Sequence, residues 1–357
     1  MNKSLGGVKK GSVELVRSYQ EGLEGPSSIR EDPKSHVVVV EEFGHRVRKF
    51  DNNFNCLFSI GKKGNGVGEF IYPSGIAIDT AGNLYITDRW NHRVQKYSEE
   101  GVFLLQFGSY GSKEGQLSEP WGIAVLPTGN ILVVDHGNAR LVVFDCQGAF
   151  ITQFGTCGAS QDFYEGERFK RNFHFQNWLR NVYTLNTVES RFYKYKFDVG
   201  ELEYPEKVSI NSNGDIYVTD RVSGHVAVFT PLEKTTDDVD SRNVKKTDNS
   251  LMADTVRRNN SLTGFTATFS LKKILDTKEG THCLHEPSSV YAGDDGFFIA
   301  EESSGLLYWN RSDETLVFDL GIYNIKISDI YFVKEKNRLY VCDAWNNTIS
   351  VFALLKK

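Results

Sequence analysis

Cysteine is sparse, and the five present (Cys56, Cys146, Cys157, Cys283, Cys342) are scattered with no CxxC pair among them. That excludes a zinc finger or ribbon built on paired cysteines and predicts reduced thiols rather than a disulfide framework. Cys342 lies in the apolar run Leu339–Cys342, where a buried thiol is expected. No apolar stretch approaches the roughly 18–20 residues of a membrane helix, so no membrane partner is expected. The first ten residues lack the apolar core of a secretory signal; with the cysteine usage this predicts a cytoplasmic protein. Neither sign of charge dominates: 41 Lys and Arg stand against 46 Asp and Glu, a net of −5. Nucleic acid or anionic lipid would therefore be attracted only by local patches.

Proline is scarce too, at eight residues in 357, but its placement is regular. Pro26, Pro73 and Pro120 are 47 residues apart, and Pro205 and Pro287 open similar segments. After Pro73-Ser-Gly-Ile-Ala come Gly82-Asn-Leu-Tyr-Ile-Thr-Asp88, Asn91-His-Arg-Val-Gln and Phe103-Leu-Leu-Gln-Phe-Gly108. The same order returns from Pro120 through Gly155. A period of about 40–50 residues holding four short apolar runs is the pattern of a β-propeller blade. The expected fold is all-β, a six-bladed propeller, with second strands at Val37–Val40, Leu84–Thr87, Ile131–Val134, Asp215–Thr219, Phe297–Ala300 and Leu339–Cys342. The sixth blade starts degenerately near Ile327–Phe332 and stops after its third strand. The run Val13–Tyr19 is predicted to supply the missing fourth strand, closing the ring and removing its free edges.

Two spacings are too long. Pro120 to Pro205 is 85 residues and Pro205 to Pro287 is 82. The excess maps to an aromatic and basic insert over 159–197, between blades three and four, and to a polar insert over 231–268, within blade four. The first can be forced onto the repeat as a seventh blade but leaves no room for a fourth strand, so six blades are preferred. The whole of 1–357 is read as one propeller domain.

The elements Pro-x-Gly-Ile-Ala, Gly-Asn-Leu-Tyr-Ile-Thr-Asp, Asn-His-Arg-Val-Gln and Phe-Gly-x-x-Gly resemble the NHL repeat, most specifically over residues 59–155. The linker from Ile60 to Pro73 looks most like that of the animal tripartite-motif ubiquitin ligases whose C-terminal domain is an NHL propeller. The resemblance implies a recognition module for a protein client, or for single-stranded or stem-loop RNA, in protein turnover or mRNA regulation. No RING or B-box spacing is present, so any ligase activity would come from a subunit acting in trans.

Blade topology puts the turn between second and third strands, together with the linkers between blades, on one face. The repeated acids Asp88, Asp135, Asp220 and Asp343 are read as structural, accepting backbone N–H groups in tight turns. The variable turn positions are the candidate binding residues: Arg46, Arg89, Trp90, His92, Arg93, His136, Arg140, Arg221, His225 and Trp345. Arginine among Trp and His suits phosphate contact with base stacking, and equally a protein hot spot.

The alternative is a metal-dependent propeller enzyme, similar to peptidyl-hydroxyglycine lyases or lactonases. It would need three inward His or carboxylate side chains around the axis. The segments Gly75–Ile78, Gly122–Val125 and Val208–Ile210 offer only small and apolar ones, and the pair His282/His285 has no third ligand beside it. The chain is therefore expected to be non-catalytic, without cofactor, metal or small-molecule substrate.

Overall fold

The computed structural model describes residues 8–155, 202–221, 224–231, 269–275, 284, 286–302, 304–310 and 315–355. Its strands, in chain order, begin with β1 (Val8–Lys10) and β2 (Ser12–Tyr19). Blade one follows as β3 (Pro26–Glu31), β4 (Val37–Glu41), β5 (Arg46–Phe50) and β6 (Cys56–Ile60). Blade two is β7 (Pro73–Ile78), β8 (Leu84–Asp88), β9 (Arg93–Tyr97) and β10 (Phe103–Phe107). Blade three is β11 (Pro120–Val125), β12 (Ile131–Asp135), β13 (Arg140–Phe144) and β14 (Phe150–Phe154). Blade four is β15 (Pro205–Ile210), β16 (Ile216–Asp220), β17 (His225–Pro231) and β18 (Phe269–Leu275). Blade five is β19 (Pro287–Gly293), β20 (Gly296–Glu301), β21 (Leu306–Asn310) and β22 (Thr315–Asp319). Blade six holds β23 (Asp329–Val333), β24 (Arg338–Asp343) and β25 (Thr348–Leu355).

Each blade is an antiparallel meander running outward from the axis. The fourth strand of blade six is β2, which pairs antiparallel with β25 in the register Val13↔Leu354 to Tyr19↔Ile349. The expected closure by the N-terminal strand is thus borne out. One pairing was not foreseen: β1 lies parallel to β22 and adds a fifth strand to blade five.

The apolar runs of the second strands are buried on both faces, which is why they read as continuous rather than alternating. Val38 and Val40 pack toward blade two, while Val37 and Val39 pack toward blade six. The described core falls into six clusters, one at every blade-to-blade interface. Leu132, Val134 and Val143 of blade three meet Val208, Val218 and Phe229 of blade four directly. First strands touch all round, β11 against β15 and β23 against β3 included. Among the described residues six sheets close the ring, with blade three directly against blade four at the axis. The inserts over 159–197 and 231–268 lie outside the described residues, apart from Pro231, which ends β17. Cys342 is fully buried, as expected. Among the described residues no helix is long and apolar enough to cross a membrane.

Candidate interaction surface

The face carrying the inter-blade linkers is organised by the acid that ends each second strand. In blade two, Asp88 accepts the Ile71 N–H (2.8 Å) on one oxygen and Asn91 Nδ2 (2.8 Å) and Arg93 Nε (2.8 Å) on the other. Blade three repeats this with Asp135, Ser118, Asn138 and Arg140. In blades four and six, Asp220 accepts the Glu203 and Tyr204 N–H groups, and Asp343 that of Lys326. The structural reading of these four aspartates is supported: each ties its blade to the linker that precedes it.

The two arginines of that element do not reach the surface. Arg93 is 7% exposed and Arg140 3%. The Arg93 guanidinium also donates to the carbonyls of Gly66 (2.7 Å) and Glu69 (3.0 Å) and to Gln106. Arg140 does the same to Ser112, Lys113, Gln116 and Gln153. With their donors held by glycine-rich linker carbonyls, neither can contact a partner. Arg89 and His136 are buried as well. Arg89 sits 4.0 Å over the Trp121 ring, between Glu42 and Glu119. His136 donates its Nδ1–H to the Pro205 carbonyl (2.8 Å), edge-on to Trp121 and Tyr204. Burial pushes its pKa down to about 3, so it is neutral. As candidate surface residues these four are corrected to structural ones.

The others remain near solvent, mostly engaged. Arg46 pairs with Glu41 (2.8 Å) and Glu24 (3.3 Å). Arg221 pairs with Glu302 (2.8 Å), Glu286 (3.4 Å) and Glu206 (3.6 Å). His92 occupies a left-handed position, and its Nδ1 accepts the Glu119 N–H (3.0 Å), which places its proton on Nε2. His45 and Asn347, at the equivalent left-handed positions of blades one and six, do the same for Tyr72 and Gly25, so this position latches blades six, one and two each to the next. His225 starts β17, partly buried. Trp90 and Trp345 are exposed. The Trp345 indole N–H donates to Glu302 (2.8 Å), and Lys326 lies 5.1 Å from its ring centre.

Residues flanking the repeat prolines were not singled out by sequence and prove central. Tyr72, Glu119, Trp121, Tyr204, Glu206 and Glu286 surround the mouth of the axis, each one position before or after Pro73, Pro120, Pro205 or Pro287. An aromatic arc runs His45–Tyr72–Trp90 (4.8 and 5.1 Å), His92–Tyr110 (4.7 Å) and Trp121–His136–Tyr204 (4.6 and 4.2 Å). Beside it, Glu42, Glu206 and Glu302 alternate with Arg89 and Arg221. Burial, followed by the pull of Arg221 in the other direction, leaves the Glu206 carboxyl raised to about 7. Carboxylates thus do converge at the axis, though the arginines separate them. Among the described residues no three His, Cys, Asp or Glu side chains are grouped to hold a metal ion.

The axis is also not lined by small and apolar residues alone. Lys207 crosses it from blade four, its Nζ donating to the carbonyls of Ser27 (2.6 Å) and Ser74 (3.2 Å) in blades one and two. Asp329 binds Arg30 (2.9 Å), Ser28 (2.8 Å) and Ser289 (2.7 Å).

The NHL repeat family matches residues 70–97, 117–144 and 202–229, which are blades two, three and four from linker to third strand. No curated protein matches the chain by sequence. Among solved structures, a streptogramin B lyase is similar at 11% identity and TM-score 0.54, over 96% of this chain and 98% of that one. Virginiamycin B lyase from Staphylococcus aureus aligns at 10% identity and TM-score 0.53, over 96% and 100%. The β-propeller domain of Cps50 (Swd1) from Myceliophteria thermophila aligns at 8% and 0.55, over 96% and 100%. At such identities these likenesses establish the fold alone, lyase and non-lyase alike. The chain carries NHL repeats on an all-β propeller.

Proposed function

We propose that this propeller is a non-catalytic recognition module that docks a protein through its linker face. One observation carries the reading. The exposed large aromatics among the described residues are Phe43, Trp90, Tyr110, Tyr323 and Trp345, and all five belong to second-to-third-strand turns or inter-blade linkers. Among the described residues the outer strands and the opposite hairpins present none. Exposed Trp and Tyr concentrated on one rigid face are what protein hot spots require.

A protein client is favoured over RNA because the arginines expected to meet phosphate are already neutralised. Arg93 and Arg140 are buried against aspartates, and Arg46, Arg89 and Arg221 each sit between glutamates. Phosphate contacts need cations free to replace counterions. The kinship to tripartite-motif ligases belongs to the same proposal, with ligase activity supplied in trans.

The test is selection from a random peptide-display library against the full chain and against a Trp90→Ala/Trp345→Ala variant, with a randomised RNA pool titrated in parallel at two salt concentrations. Peptides enriched on the first and lost on the second, at unchanged melting temperature, are the expected outcome. Saturable RNA binding that weakens steeply with salt, with no peptide enriched, would overturn it.

A further inference from the structure

The propeller axis holds a cavity of about 300 Å3 at the end away from the linker face, lined by the first strands of all six blades. Toward the linker face Lys207 spans the axis onto the Ser27 and Ser74 carbonyls, so the cavity is blocked there. Its walls are chemically divided. Blades two to four contribute Ala77, Ile78, Ile123, Val125, Val208 and Ile210. Blades five, six and one add the polar Tyr291, Tyr331, Arg30 and Glu31 to the apolar Val290, Ala292 and Ile330.

We infer that this cavity is a binding site for a small, uncharged, two-ring-sized molecule bearing a hydrogen-bonding oxygen. Size comes first: a cavity of roughly 150 Å3 accepts benzene, and this one is about twice that. Charge is decided by the ions at the wall. Arg30 is held by Asp329 (2.9 Å), and Glu31 by Lys336 (2.7 Å). A charged ligand would enter without a free counter-ion and lose its hydration uncompensated. Polarity is decided by the tyrosines. The Tyr291 and Tyr331 hydroxyls make no hydrogen bond to any described residue, and their rings stand edge-to-face at 5.8 Å. Ser209, beside them, accepts the Ala292 N–H at 2.9 Å and keeps its own hydroxyl proton to donate. A flat ligand would lie on the aliphatic wall and turn its oxygen to these hydroxyls, the division of labour usual in small-molecule sites.

The experiment titrates the full chain with 2-naphthol and coumarin, and with 2-naphthoate as a charged counterpart, by ligand-observed NMR and calorimetry. Expected is saturable one-site binding of at least one neutral probe, with naphthoate at least tenfold weaker. Tyr291→Phe/Tyr331→Phe lowers affinity about fivefold or more per hydroxyl used, without changing the melting temperature. Ala124→Phe fills the cavity and abolishes binding. Trp90→Ala/Trp345→Ala, on the other face, leaves it unchanged, so the outcome is independent of protein docking. The inference is overturned if neither neutral probe saturates, if naphthoate binds equally well, or if the tyrosine double variant retains full affinity. Binding that survives Ala124→Phe in a cooperatively folded protein also overturns it.

Discussion

Arg140 shows how a residue that reads as a ligand contact can be wholly structural. Its carboxylate partner Asp135 is fully buried, and the remaining donors hold linker carbonyls. Arg140→Ala would strand that carboxylate, and removing one partner of a buried pair costs about 3–5 kcal/mol. Chemical denaturation should show a loss of that order with blade-two-to-three packing weakened; a variant as stable as the parent would return Arg140 to the candidate surface. Two other buried groups make an opposed pair in pH. His136, at about 3 when folded against an ordinary 6.5, binds its proton in the unfolded chain first, so stability rises with pH between those values. Glu206, raised from 4.5 to about 7, keeps its proton in the folded chain, so stability falls as pH rises through that range. Between 4.5 and 6.5 the two slopes cancel. Glu206→Gln should uncover the His136 slope, about 1.4 kcal/mol per pH unit, in melts across that window. Arg89, Arg221, Lys207 and Glu302 face Glu206 in the parent and are left in place by the substitution.

At the scale of the element, the second and third strands were legible because each is a β-branched or aromatic run ended by an acid or a turn. Closure was legible as well, since Val13–Tyr19 is an apolar strand with no blade of its own and the last repeat lacks a fourth strand. β1 was not, because three residues added parallel to an existing edge leave no period to detect. Burial of Arg93 and Arg140 was equally hidden, for it depends on linker carbonyls 24–28 residues upstream folding back over the guanidinium. Removing residues 1–19 deletes β1 and β2, leaving the backbone edge of β25 unpaired at the blade that seals the ring. An exposed edge of this kind templates association. Size-exclusion chromatography should show the truncated chain as oligomers with a lowered, broadened melt. A monomer melting like the parent would mean that the six interfaces hold the ring without the strap.

On the scale of the whole molecule, neighbouring blades are joined by apolar clusters, and every such contact is local to one interface. Lys207 is different in kind: it ties blade four to blades one and two across the axis, near the charged ring that borders the proposed docking face. Its position in a Pro-Glu-Lys start was visible in the sequence, but its partners were not, because only ring closure brings Ser27 and Ser74 within reach. Lys207→Met keeps the length of the side chain and removes the ammonium, leaving two buried carbonyls short of a donor and Asp329 with Arg30 as its nearer cation. An unsatisfied buried polar group costs about 1–3 kcal/mol, so the melting temperature should fall clearly while the β-sheet circular dichroism of the native state is kept. Hydrogen exchange at the first strands of blades one, two and four should accelerate together, three blades that are not all neighbours. Acceleration confined to blade four would show that the axis lysine is a local anchor and that the ring is held by its interfaces alone.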